Sequence, residues 1–330
     1  MTQPTHSSGV FRDDPDLVWS VCTPSGTRAS GLERKAMTMT RVGVVGAGRV
    51  GAVLSAALRA AGHEVAAAAG ESQASRDRLA ALLPGVPVDK PTAVSRSCDL
   101  LLLTVPDDML SNVVTMLAAS GALRPGQYVA HTSGRHGLAV LQPAVDAGAH
   151  GLALHPAMTF TGTALDLERL PGCAIGVTAE PDSVALAERL VADLGGRLVW
   201  VPEDKRTLYH AGLAHGANHL VTLVSQAMDL LRESGATDPA ATLRPLLTAA
   251  LDNALTMGDA ALTGPIVRGD VETVRAHVAE IARTRPSTLP SYVTLARATA
   301  NTAVLEGRLL PIRAAKLVGV LNDAVERVSA

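Results

Sequence analysis

Aromatic side chains are nearly missing from this chain: Phe, Trp and Tyr together supply 2% of its 330 residues. The core therefore has to be assembled from Ala, Val and Leu. Cysteine is also scarce. Cys22, Cys98 and Cys173 lie far apart, without metal-ligand spacing and without an even count to pair. That usage fits a reducing, cytoplasmic compartment and excludes a disulfide framework. No apolar run approaches the ~20 residues of a membrane span. The first forty residues hold no basic stretch followed by an apolar one, so no secretory signal is expected. Nor is there an excess of positive charge, because the formal net charge is -2. Nucleic acid and anionic membranes are therefore poor candidates as main partners.

What is present is 47% hydrophobic and 18% charged residues, the balance of a globular protein with a sizeable core. The length suggests about two domains at ~150 residues each. Residues 1–38 are rich in Ser, Thr, Pro, Asp and Gly and carry no periodicity. They read as a disordered leader, or as a start-site artefact with Met37 or Met39 as the true start. From Arg41 onward, short apolar runs alternate with helical patterns. Strands are expected at 41–45, 64–69, 86–88, 100–105, 128–131, 151–154, 174–177 and 197–201. After Pro202 only helices are expected, at 204–232, 239–257, 270–284, 291–306 and 311–328. The fold class is α/β: a doubly wound, mostly parallel sheet over 39–202, followed by an all-helical substrate and dimerisation domain over 203–330.

The most informative stretch is Gly46-Ala-Gly48-Arg-Val-Gly51, which follows a β-branched strand and opens a helix. Gly46 suits the tight turn, Gly48 the approach of backbone to a pyrophosphate, and Gly51 close helix–strand packing. The amides of Arg49 and Val50 begin the helix, where an anion is favoured. At the end of the second strand, Ser72, Ser75, Arg76 and Arg78 offer hydroxyls and guanidinium groups for a ribose 2′-phosphate, so NADP is the expected cofactor. Glu71 is the dissenting residue and would serve NAD. Val105 and Pro106 should carry a loop along the cofactor, with Asp107 as N-cap of the next helix. Thr132, Ser133 and Gly134 follow a further strand at the ligand-binding edge. His155 ends another strand as a candidate substrate contact, and Phe160 stands where a nicotinamide pocket should close.

The series GAGRVG, TVPD, HTSG, LHPAMTF, YHAGLAHGANHLVTL and ALTGPIVRGD resembles the Rossmann-like proteins that carry the domain of unknown function 2520. The likeness runs from residue 40 to about 310. More distantly, the layout is similar to pyrroline-5-carboxylate reductases, β-hydroxyacid dehydrogenases and ketopantoate reductases. The resemblance implies a Rossmann sheet, NADP-dependent oxidoreductase activity, a substrate cleft between the domains, and a homodimer through the helical domain. Ketopantoate is one substrate it brings to mind, and a deazaflavin partner or a sensor without turnover are the rivals.

Hydroxyacid dehydrogenases of this layout place a Lys and an Asn about one turn apart on the first interdomain helix. Here Asn218 matches, Ala214 stands where the Lys would be, and Lys205 is too far along to replace it. His215, three residues before Asn218, is the expected proton donor, with Asn218 orienting a carbonyl oxygen. His210 is only loosely on that face, and His219 should point elsewhere. The His215/His219 spacing suits zinc, but no HExxH glutamate and no third ligand accompany it, so no metal is expected. Thr263 and Arg268, in the loop LTGPIVRGD, are candidate substrate contacts, Arg268 for a carboxylate, with Asp270 as the following N-cap.

Overall fold

The computed structural model describes residues 39–329, so the leader expected over 1–38 lies outside the described residues. Seven strands form one sheet in the order β2-β1-β3-β4-β5-β6-β7. They are β1 (Arg41–Val45), β2 (Glu64–Ala69), β3 (Leu100–Leu103), β4 (Tyr128–His131), β5 (His150–Pro156), β6 (Ala174–Ala179) and β7 (Arg197–Trp200). The first five strands are mutually parallel, β6 runs antiparallel to β5, and β7 is parallel to β6.

The leucine run of β3 shows why the sheet is wound on both faces. Side chains alternate along a strand, so an unbroken apolar run suits burial on both sides. Leu100 and Leu102 enter one core with Val42 and Val44, while Leu101 and Leu103 enter the other with Val45. The first core is roofed by α1 (Arg49–Ala60), α2 (Gln73–Leu82) and α7 (Val184–Asp193). The second is covered by α3 (Pro91–Arg96), α4 (Asp107–Ala119) and α5 (Gln142–Asp146). Each fully buried leucine contributes ~1.5–3 kcal/mol by its removal from water.

One expected strand is lost. Residues 86–88 make a single bridge, Ala68 to Val88, because Pro87 has no N–H to extend the ladder and α3 begins at Pro91. The strand expected over 100–105 stops at Leu103. There the Thr104 amide still donates to Val45, but Pro106 ends the ladder and leads into α4. Pro106, not Asp107, is the cap of that helix; Asp107 sits in its first turn, 3.6 Å from Arg135.

After β7 and the short helix α6 (Leu165–Arg169) that precedes β6, the chain is helical. The expected helix 204–232 is one rod with an irregular centre: α8 (Arg206–Leu213), a π turn at Ala214–Asn218, and α9 (His219–Glu233). Then follow α10 (Pro239–Met257), α11 (Pro265–Arg268), α12 (Val271–Thr284), α13 (Leu289–Leu305) and α14 (Pro311–Ser329). A third core joins α11 to α14 through residues such as Val274, Val293 and Leu317. Asp270 does stand at the N-cap of α12, but its carboxylate makes no capping bond and accepts instead from Arg268 Nε at 2.9 Å.

Candidate functional site: a glycine turn and an interdomain cleft

Gly46 has φ +98°, and a Cβ there would lie 2.7 Å from the Thr104 carbonyl carbon. Only glycine makes that turn without strain. A Cβ on Gly51 would meet the Thr104 hydroxyl at 2.3 Å, so α1 is pressed onto β1 and β3. The same hydroxyl donates to the Gly46 carbonyl at 2.5 Å. Gly48 is different: it has an ordinary φ of -76°, and nothing approaches its Cβ position closer than 3.8 Å. No side chain caps α1 and no carboxylate stands in its first turn, which leaves its amides for an anion.

Beside this turn lies a cavity of about 720 Å³, lined by Gly46, Gly70, Ser72, Ser75, Val105 and Pro106 among others. It opens where the sheet order reverses, between β1 and β3 at their carboxyl ends. The four selector residues separate here. Ser72 and Ser75 line the cavity, their hydroxyls 2.9 Å apart, and Ser72 also caps α2 by accepting from the Ser75 amide. Arg76 folds back to the Glu71 carbonyl at 2.7 Å. Arg78 turns away from that edge to the loop after β5, where it and Arg49 flank Gly162. Phe160 does not close a pocket; it is buried in the core under α1. Its loop is held instead by buried Asp166, which accepts from the amides of Thr161 and Gly162.

A second group gathers at the carboxyl ends of β4 and β5 and against the neighbouring antiparallel β6, where the interdomain rod begins. Glu203 accepts from the amides of Leu138 and Ala139 at 2.7 and 3.2 Å. Arg206 is fully buried and donates to the Ser133 carbonyl at 2.6 Å and the Thr178 hydroxyl at 3.0 Å. Tyr209 places its hydroxyl 3.1 Å from His155 Nδ1 and lies over Gly176. His210 stands edge-on to His155, with ring centroids 5.6 Å apart, and fills the space left by Gly134. A Cβ on Gly134 would fall 2.5 Å from the His210 ring. Burial first, then the neighbouring His210 and Arg206, push His155 down to about 4, so it is neutral near pH 7. Burial likewise holds the Tyr209 phenol in its protonated form. His131 is sealed beneath the turn. Its Nδ1 accepts from the Ser133 amide at 3.2 Å while Nε2 donates to the Gly137 carbonyl at 2.8 Å. Thr132 sits above it, its amide bonded to Leu103.

The structure does not bring His215 to this group. His215 and His219 are exposed on the rod and face each other, Nδ1 to Nδ1 at 3.0 Å, so His219 does not point elsewhere. Asn218 is exposed at the end of the π turn. His210, in α8 ahead of the π turn, lies against His155, whereas His215, five residues on and nine from Arg206, falls on a different face of the rod. Thr263 is exposed, and Arg268 is exposed and paired with Asp270 on α11, which packs on α12 and α13 rather than on the sheet. Among the described residues no cluster of three His, Cys, Asp or Glu side chains gathers as a metal site.

Sequence reasoning passed over Glu203 and Arg206. The run Glu203-Asp-Lys-Arg206 resembles a solvated charged helix start, yet its spacing with Tyr209 and His210 puts four polar groups on one stripe. That stripe was the available signal.

A Rossmann-like domain model matches residues 26–156, and the model described as domain of unknown function 2520 matches residues 173–299. This chain joins a Rossmann-like domain to a domain of unknown function 2520. The second match begins within the sheet, at β6, and not at the first helix beyond it. Among curated proteins no significant sequence match is found. Among solved structures, the chain is similar to a candidate NADP oxidoreductase from Bacteroides fragilis, with TM-score 0.69, 18% identity, and 80% and 98% of the two chains covered. It is also similar to pyrroline carboxylate reductase from Plasmodium falciparum with NADP bound: TM-score 0.52, 11% identity, coverage 80% and 98%. The reductive aminase of Aspergillus terreus, in complex with NADPH and ethyl levulinate, gives TM-score 0.53 and 18% identity, with coverage of 88% and 95%. At these identities the likeness establishes the shared Rossmann-plus-helical fold of this Rossmann-like, DUF2520-bearing chain.

Proposed function

We propose that this chain is an NADP(H)-dependent reductase acting on the carbonyl or imine of a small carboxylate. The observation that carries the reading is the uncapped start of α1 beside Gly48, where nothing lies closer than 3.8 Å to the place a side chain would take, next to the cavity that Gly46 and Ala47 line. That is the fit a pyrophosphate requires. When bound, the nicotinamide supplies hydride. The Gly46–Gly51 turn would hold the pyrophosphate, and Ser72, Ser75 and Arg76 the ribose phosphate, whereas Arg78 stands beside Gly162, away from the cavity. Val105 and Pro106 would line the path toward the Thr132–Gly134 turn.

His210 replaces His215 as the proton donor in this reading, since it reaches the cleft and the other does not. His155, kept uncharged, accepts or donates one hydrogen bond to the substrate oxygen or nitrogen, and Tyr209 orients it. The names of the structural relatives, an NADP-bound pyrroline carboxylate reductase and an NADPH-bound reductive aminase, support the same cofactor and reaction class.

The test is NADPH consumption with a panel of 2-oxo acids, ketopantoate first, and cyclic imines. Turnover with any of them supports the reading; binding without turnover across the panel favours a sensor. His210→Gln is expected to lower turnover by ~100-fold, with NADPH affinity within about twofold of the parent. Unchanged turnover would remove His210 as donor. Arg76→Ala should weaken NADPH by about tenfold, the scale of one charge-assisted contact, and leave NADH nearly unaffected. Equal losses for both would reject the phosphate assignment.

The second copy is part of the same reading. α9 has no buried residue and α10 has only Pro239, while Val221, Leu246, Leu251 and Leu255 are each at least half exposed. An apolar surface of this extent is the mark of an interface. A homodimer formed there would also give Thr263 and Arg268 a route to a substrate, held against the cleft of the other copy.

A further inference from the structure

Arg206 heads the side chains fully withdrawn from solvent, yet among the described residues no carboxylate lies within ion-pair distance of it. Its Nη1 reaches the Thr178 hydroxyl and its Nη2 the Ser133 carbonyl, while Nε has no partner. A buried guanidinium without a counter-charge is strongly unfavourable, and a neutral side chain of similar size would relieve the cost. Arginine does not escape by losing its proton. The position is therefore one where a fixed positive charge is retained against stability. It sits at the base of the interdomain cleft.

We propose that Arg206 is a positioning residue of this cleft: it pins the Ser133–Gly134 turn to β6 and to the head of α8, and it sets the field in which His155 and His210 act.

Both halves follow from the contacts. Ser133 belongs to the turn whose glycine leaves room for His210, and the Ser133 hydroxyl accepts from the His136 amide at 3.1 Å. Thr178 passes its own proton to the Val201 carbonyl at 2.6 Å, which frees its oxygen for Arg206 and ties β6 to the end of β7. One side chain thus links three segments that line the cleft. The titratable groups around it come from every surrounding element: His131 and His136 from β4 and its turn, His155 from β5, Asp107 from the start of α4, Glu203 just ahead of it, and Tyr209 one turn on. Glu203 is engaged with the amides of Leu138 and Ala139, and Asp107 with Arg135, so neither carboxylate closes on Arg206. At His155, burial first, then His210 and the Arg206 charge, oppose a proton, against a smaller opposite pull from Asp107.

The proposal rests on the reductase reading only for its kinetic arm. Histidine titration by NMR on the full chain tests it without any substrate. In the parent, His155 is expected to titrate at about 4. Arg206→Gln keeps a donor but removes the charge, and should move that midpoint upward by roughly half a unit or more; Arg206→Lys should not. An unchanged midpoint in Arg206→Gln would overturn the electrostatic half. Should the Gln variant fail to fold, the Lys variant carries the test: a lysine cannot span both acceptors, so the His136 amide should exchange with solvent at least tenfold faster. Unaltered exchange there would overturn the pinning. If a substrate is found, the acidic limb of the rate profile of Arg206→Gln should shift with His155, with NADPH affinity within twofold. No turnover in any variant would count against the reductase reading and leave the titration result standing.

Discussion

Replacing Gly48 with leucine is expected to leave the melting temperature within a degree or two of the parent and to remove NADPH binding. Both halves of that result come from the same local geometry. Gly48 has an extended backbone with a negative φ, and nothing lies closer than 3.8 Å to its Cβ position, so the folded protein accepts a side chain there for ~0.5 kcal/mol. The cost falls on the ligand. A leucine at that point fills the approach to the first amides of α1, and affinity should drop at least ~100-fold, or about 3 kcal/mol. Gly46→Ala is the informative contrast. It forces a Cβ into the Thr104 backbone at a φ of +98°, so it should lower stability and binding together. Calorimetric binding and thermal melts on the two variants separate the effects. Undiminished NADPH affinity in Gly48→Leu would end the nucleotide reading of the glycine turn.

Acid is expected to destabilise this protein well before its carboxylates are protonated. Burial pushes His131 and His155 each down to about 4 from the ordinary 6.5. Above 6.5 neither folded nor unfolded chain carries these protons, and stability does not depend on them. Between 6.5 and 4 the unfolded chain takes them up and the folded chain does not, so stability falls as pH falls. The full loss is ~3 kcal/mol for each histidine once pH 4 is reached. For a protein stable by ~5–15 kcal/mol that is a large fraction. Denaturant titrations at pH 7.0, 5.5 and 4.5 measure it. His131→Gln, which can mimic both hydrogen bonds without titrating, should halve the slope. A stability that does not change from pH 7 to 5 would contradict the burial of these rings.

The fold was largely legible because its signals are local. A β-branched run before GAGRVG, the Leu100–Leu103 run, and the gap at Gly62 before Glu64–Ala69 each state their own geometry in the sequence. The one strand that failed, 86–88, failed because Pro87 takes a donor from an edge, a tertiary effect too small to break an apolar triplet on paper. The site was less legible, for reasons of register. A regular helix from 204 to 232 carries a stripe through His215 and Asn218; the π turn breaks that stripe, and nothing in Ala214-His-Gly-Ala-Asn218 announces it. The cleft group depends on Gly134 and Gly176 being absent side chains under His210 and Tyr209, which becomes visible only once strands far apart in sequence are laid side by side. Arg78 was misplaced for a similar reason. It stands two residues after Arg76 in sequence, and so about 200° round α2 from it, on the side facing Gly162.

The π turn has one more consequence. Each of its bonds closes over an extra residue, so everything beyond Asn218 is wound back by roughly 100° relative to an unbroken α-helix. An uninterrupted rod would offer a single apolar-and-polar seam to all its neighbours along its length. This rod has two seams whose directions are set separately, one before the wide turn for the nucleotide half and one after it for whatever covers Val221. Docking and chemistry thereby become independent demands on the same helix, and a change in one need not disturb the other.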